Sequence, residues 1–294
     1  MSWIKFEGNP VFGNQELGTC FDVDVHRIGE KFRMYFSWRP RKAIAMVEGT
    51  DGIHWGEPRI VLEPRPESGW EDRLNRSCCL WRGGLCHLWY TGQSNGSSRI
   101  GHAVSKDGIR FENREPLPVM IPELPWEKES VMNPFVLFNE EREVYQMWYA
   151  GGETYEPNAI GYAESSDAVH WRKCPFNPIF VKGDAPCERD RIGACHIERL
   201  PDGEFLMYYI GYEDINTARI CVAKSPDGIT RWRRCPENPI VDIGEPGSWD
   251  QYACYKPSVY RDPGSGVRML WYNGRNGHNE FIGLVRNEAF DTAF

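Results

Sequence analysis

Asp22, Asp24 and His26 alternate in Phe21-Asp22-Val23-Asp24-Val25-His26, so a period of two puts all three on one face of an extended strand. A carboxylate on a buried strand face needs a partner or a purpose. Further acids sit among cations, Glu129 in Trp126-Glu127-Lys128-Glu129 and the pair Glu188 and Asp190 in Glu188-Arg189-Asp190-Arg191. Two carboxyl groups, one ionised and one protonated, are what cleavage of a glycosidic bond requires. On this reading Asp22, with arginines nearby, keeps a low pKa and serves as base or nucleophile. The acid is then Glu188 or Asp190, each able to raise the other, with Glu129 as the competing choice. A carboxyl separation that leaves room for a water would give inversion.

Around these acids the sequence supplies cations, amides and aromatics. Arg39, Arg73, Asn133, Arg189, His196, Asp250, Tyr252 and Lys256 all fall near the starts of predicted strands or in the loops that face them. Sugar hydroxyls need bidentate polar partners and sugar C–H faces stack on aromatics, so this mixture suits a small carbohydrate. The repeated Trp-acid step (Trp70-Glu71, Trp126-Glu127, Trp249-Asp250) reads instead as a structural strut. His196 reads first as a satisfied core histidine. No spacing of His, Cys and Asp is a metal-ligand signature, so no catalytic metal and no cofactor is expected, and a structural cation in the channel stays open.

The elements that must position these residues repeat along the chain. Met34-Tyr35-Phe36, Leu88-Trp89-Tyr90, Met147-Trp148-Tyr149, Met207-Tyr208-Tyr209 and Leu270-Trp271-Tyr272 are copies of one apolar strand. Ile44, Ile100, Ile160, Ile220 and Ile282 each open a second strand, and turn aspartates follow at 51, 107, 167 and 227. A fixed period of about 60 residues built from short β segments is the signature of a propeller. The expected fold is all-β, a five-bladed β-propeller of four-stranded antiparallel blades in one domain spanning 1–294. The last copy lacks its outer strand, while Trp3 to Phe12 has the spacing of Trp171 to Phe180. The N-terminal strand should therefore complete the last blade and close the ring. The turn aspartates belong at the end opposite the strand starts and suit tight turns.

Composition narrows the partners. The formal charge of −8 argues against nucleic acid, and no apolar run approaches the ~20 residues of a membrane span. The ten cysteines are scattered without a Cys-x-x-Cys pair and read as small buried apolar residues. With no apolar signal core in MSWIKFEGNP, the expectation is a reduced, cytoplasmic protein.

The run Phe21-Asp22-Val23-Asp24-Val25 with Met34-Tyr35-Phe36 resembles the first blade of the five-bladed glycosidases, glycoside hydrolase families 32, 43, 62, 68 and 130. Asn133-Pro134, the Ser-x-Asp-Gly turns and the Asn-Pro pairs are also similar to that group. The resemblance implies that Asp22 is the first-blade base or nucleophile and that a later blade supplies the acid. Asn133 stands where family 43 has its third-blade aspartate. Ile192-Gly193-Ala194 stands near that family's fourth-blade Glu-Gly-Pro. Glu71-Asp72-Arg73 and Glu7-Gly8-Asn9-Pro10 are similar to stretches of family 130. Three functions are compatible with this: an inverting hydrolase of a small oligosaccharide or glycoside, a phosphorylase holding phosphate on arginines, or a non-catalytic sugar-binding propeller.

Overall fold

Strand pairing follows the repeat in the computed structural model, which describes residues 3–277, 279–288, Phe290, Thr292 and Phe294. Cys20–Ile28, Lys31–Trp38, Ala43–Gly49 and Arg59–Leu62 pair in order as an antiparallel meander. Meanders of the same kind begin at Arg73–Arg82, Ser130–Asn139, Arg191–Arg199 and Ala253–Arg261. Cys20 faces Trp38, and Trp38 faces Ala43, so the start of the inner strand and the loop after the second strand share one end.

Side chains tie each meander to the next. The Tyr35 hydroxyl donates to the Gly108 carbonyl (2.7 Å), Trp89 Nε1 to Ala168 (3.0 Å) and Trp148 Nε1 to Gly228 (2.7 Å). Trp271 Nε1 then donates back to Gly52 in the first meander at 2.8 Å. A second set links the inner strands. Asp24 accepts the Cys79 N–H (2.7 Å), Cys78 Sγ that of Val136, His196 Nδ1 that of Val259, and Ser258 Oγ that of Val25 (2.9 Å). Both sets return to the first meander, so the sheets close into a ring, with apolar clusters packed between neighbours.

The N-terminus completes the last meander, as the spacing of Trp3 to Phe12 predicts. Ile4–Lys5 pairs with Val285 and Arg286, and Phe12 bridges Ile282. Asn9 donates to the Leu284 carbonyl (2.9 Å) and accepts its N–H (2.8 Å), replacing a strand residue in the ladder. Asn177 makes the same two bonds to Tyr162, and Asn238 to Val222. The turn aspartates are structural. Asp51, Asp107, Asp167 and Asp227 each accept two backbone N–H groups from residues two and three positions on.

The Trp-acid steps are struts and extend further than the sequence showed. Glu71 accepts from the Tyr90 hydroxyl and Arg114, Glu127 from Tyr149 and Lys173, and Asp250 from Tyr272 and Lys5. Glu188 does the same with Tyr209 and Arg234. The indoles lie on glycines: a Cβ at Gly161 would meet Trp126 at 2.7 Å. In the fourth meander Cys187 replaces the tryptophan and Cys221 the glycine, with their sulfurs 3.6 Å apart. In the first meander Phe36 replaces the tyrosine, and the acid before Cys20, Glu16, is exposed.

Candidate active site

Each inner strand carries a β-bulge at the same place: Phe21/Asp24, Asn75/Cys78, Met132/Phe135, Gly193/Cys195 and Tyr255/Ser258. Within each bulge one residue is left-handed: Asp22 (φ 56°), Arg76 (55°), Asn133 (53°), Ala194 (33°) and Lys256 (51°). An L-residue there costs about 1–2 kcal/mol, and a bulge re-aims its side chain. These five positions start the inner strands at one end of the ring, so the strain assembles a carboxylate, two cations and an amide there.

Asp22 is buried and accepts from Ser37 Oγ at 3.1 Å. Burial pushes its pKa above the usual carboxylate range, against the pull of Arg76, Lys256, Ser37 and Arg39. That corrects the expectation of a low value: desolvation outweighs the cations. The second carboxylate in this environment is Glu280, whose pKa is also raised by burial, against the pull of Arg39, Tyr255 and Arg275, with the Asp22 charge adding to the rise. Arg39 reaches both Glu280 oxygens at 3.2 Å and stacks on Phe21. Tyr255 and Tyr212 complete the cluster, their hydroxyl pKa values driven up by burial, with Asp22 a further cause at both and Arg275 facing both. Lys256 is buried beside Asp22, and the Asn133 side-chain oxygen is buried without a partner.

Beside this cluster opens a cavity of about 560 Å³. Phe21, Arg39, Lys42, Arg73, Arg76, Tyr155 and Glu156 are among the side chains that line it. Arg73 lies over the Tyr155 ring at 4.9 Å, and Arg76 donates to the Tyr155 carbonyl at 3.0 Å.

Other predicted site residues lie elsewhere. Glu188 and Asp250 are buried in their struts. Asp190 pairs with Arg191 at 2.7 Å, and Arg189 with Glu213 at 3.0 Å. Glu129 is exposed and accepts the Thr154 N–H at 3.4 Å. Tyr252 is half exposed. His196 holds the Val259 N–H and lies 4.5 Å from the Phe135 ring, and burial drives its pKa down to about 3. Sequence reasoning places Arg76, Tyr255, Arg275 and Glu280 at this mouth without assigning them a role, and it does not single out Tyr212. Arg76 carried a signal, since it aligns with Asp22 and Lys256 once the repeat is set in register.

No protein-family profile matches the chain. The chain is 30% identical over 280 residues to the uncharacterized Mycobacterium tuberculosis protein Rv1502, covering 87% of this chain and 88% of that one. It is 28% identical over 166 residues to a 1,2-beta-oligomannan phosphorylase of Thermoanaerobacter sp., covering 53% of this chain and 52% of that one. Its fold matches that of a thermostable family-43 glycoside hydrolase with a TM-score of 0.77 at 14% identity, over 97% of this chain and 94% of the other. The chain belongs to the family of Rv1502 and shares the fold of the family-43 glycoside hydrolase.

Proposed function

We propose that the whole chain forms one five-bladed propeller that cleaves a glycosidic bond of a small oligosaccharide or glycoside at the mouth formed by its inner-strand bulges. The observation that carries this reading is the Asp22–Glu280 environment. Two buried carboxyls with raised pKa values share one cluster, and the Asp22 charge is a cause of the Glu280 shift. Two interacting carboxyls titrate as a pair, so one stays protonated where the other is ionised. We take Asp22 as the base, since Arg76, Lys256, Ser37 and Arg39 favour its charged form, against Arg39, Tyr255 and Arg275 at Glu280. Glu280 carries the proton and delivers it to the departing sugar oxygen. Arg73 and Tyr155 offer the sugar a cation and a ring, and the cluster's single asymmetric arrangement favours an enzyme over a repeated binding site. Water as the attacking group on the face opposite the leaving group gives inversion.

A second reading has its own observation. Arg39, Lys42, Arg73 and Arg76 all line the cavity beside Asp22, and guanidinium forks suit phosphate. Phosphate in place of water would make the enzyme a phosphorylase, which is what the Thermoanaerobacter relative is named. The test is product analysis on a panel of manno-, arabino- and xylo-oligosaccharides with and without phosphate. Free sugar without phosphate supports hydrolysis, and sugar 1-phosphate formed only with phosphate supports phosphorolysis. Asp22→Asn should reduce either turnover by about 10²–10⁴-fold while sugar binding survives. Full turnover by Asp22→Asn would remove Asp22 from the chemistry.

A further inference from the structure

We infer that Asp24, His26 and Cys79, at and just past the bulges of the first two inner strands, form a binding site for a zinc-like divalent cation. One ligand atom from each residue lies within 4.8 Å of the other two. A carboxylate oxygen, an imidazole nitrogen and a thiolate sulfur at about 2.0–2.3 Å from a common centre are a donor set that zinc takes. Asp24 Oδ2 already accepts from His26 Nε2 (2.8 Å) and the Cys79 N–H (2.7 Å), which fixes its carboxylate between the other two.

The repeat supplies an internal control. Register on the bulge aligns Cys79 with Val25, Val136, Ile197 and Val259, all apolar and β-branched. His26 aligns with Leu80, Leu137, Glu198 and Tyr260, and Asp24 with Cys78, Phe135, His196 and Ser258. Cys86, hydrogen-bonded to Cys79, stands where three other meanders place Phe32, Tyr145 and Phe205. At this one spot three departures from the repeat coincide, with Cys79 and His26 introducing metal-ligand types and Cys86 a small thiol where a ring would fill the volume, beside Asp24 at the position that accepts a neighbouring N–H in four of the meanders. Asp24 and Cys79 are buried, while the His26 side chain keeps 27% of its surface exposed, which gives an ion a way in.

The experiment is cobalt titration of the reduced full-length chain, followed by zinc competition. One equivalent of Co²⁺ should give a thiolate-to-cobalt charge-transfer band and tetrahedral visible bands, both displaced by Zn²⁺. Cys79→Ser should abolish the charge-transfer band, and His26→Gln should weaken binding at least tenfold, whereas Cys174→Ser should behave as wild type. Zn²⁺ should raise the melting temperature of the wild-type chain and not that of His26→Gln. His26 is partly exposed, so this variant stands as the test even if Cys79→Ser fails to fold. Absence of the band with all thiols reduced, or wild-type binding by His26→Gln, overturns the proposal.

Discussion

Glu188→Gln separates a strut from a catalyst. The Glu188 carboxylate is buried and receives the Tyr209 hydroxyl at 3.0 Å and Arg234 Nε at 2.5 Å. Glutamine keeps one oxygen for Tyr209 but opposes an amide N–H₂ to the guanidinium. Breaking a fully buried pair costs about 3–5 kcal/mol, and hydrogen bonds to charged groups are worth about 1.5–3 kcal/mol. The Arg234 side chain is 33% exposed, so water takes up part of the loss and the expected cost falls to about 2–3 kcal/mol. With a urea m-value of about 3 kcal/mol/M, the unfolding midpoint should drop by somewhat under ~1 M. Turnover on the substrate found by the panel should stay within about threefold of wild type, because nothing in the strut touches the Asp22 cluster. Glu280→Gln should show the opposite pattern: a turnover loss of about 10²-fold or more and a midpoint close to wild type. The reasoning fails if Glu188→Gln abolishes turnover while its urea midpoint stays unchanged.

The repeat yields further expectations. Ala168 sits at φ 73° where the other turns place Gly52, Gly108 and Gly228, so Ala168→Gly should relieve strain and raise stability by up to about 1 kcal/mol in urea unfolding. The backbone N–H groups of Arg110 and Ile109 hold Asp107 down to about 2, and Asp51 and Asp227 are also lowered to about 2. A depressed folded-state pKa contributes stability above the unfolded value and loses it as pH falls through the folded one. Unfolding free energy should therefore decline from about pH 4 towards pH 2, with a shallower slope in Asp107→Asn, as equilibrium denaturation at each pH would show. Removing residues 1–12 strips Asn9, Phe12 and Lys5 from the last meander and should lower the melting temperature of the whole chain in one transition; an unchanged melt would contradict ring closure by that strand.

The sequence alone determined what is periodic. Strand order, the turn aspartates, the Asn-Pro positions and the N-terminal strand's place in the last meander all recur at fixed spacing, because every meander meets the same packing problem. The same logic marked Trp70-Glu71 as a strut, but it missed that Cys187-Glu188 is the same element, since two sulfurs there fill the space of an indole. Asp22 stood out through alternation, yet its raised pKa depends on a burial that no local pattern reports. Only the tertiary structure decided which other groups face Asp22. Glu280 comes from the last meander, Arg76 from the second and Lys256 from the fifth. They meet because each bulge turns its left-handed residue into the mouth and the ring brings residues some 250 positions apart into contact range. Convergence of that kind follows from ring closure: the repeat register marks Arg76 and Lys256 as equivalents of Asp22, but linear spacing does not say which groups end up facing it.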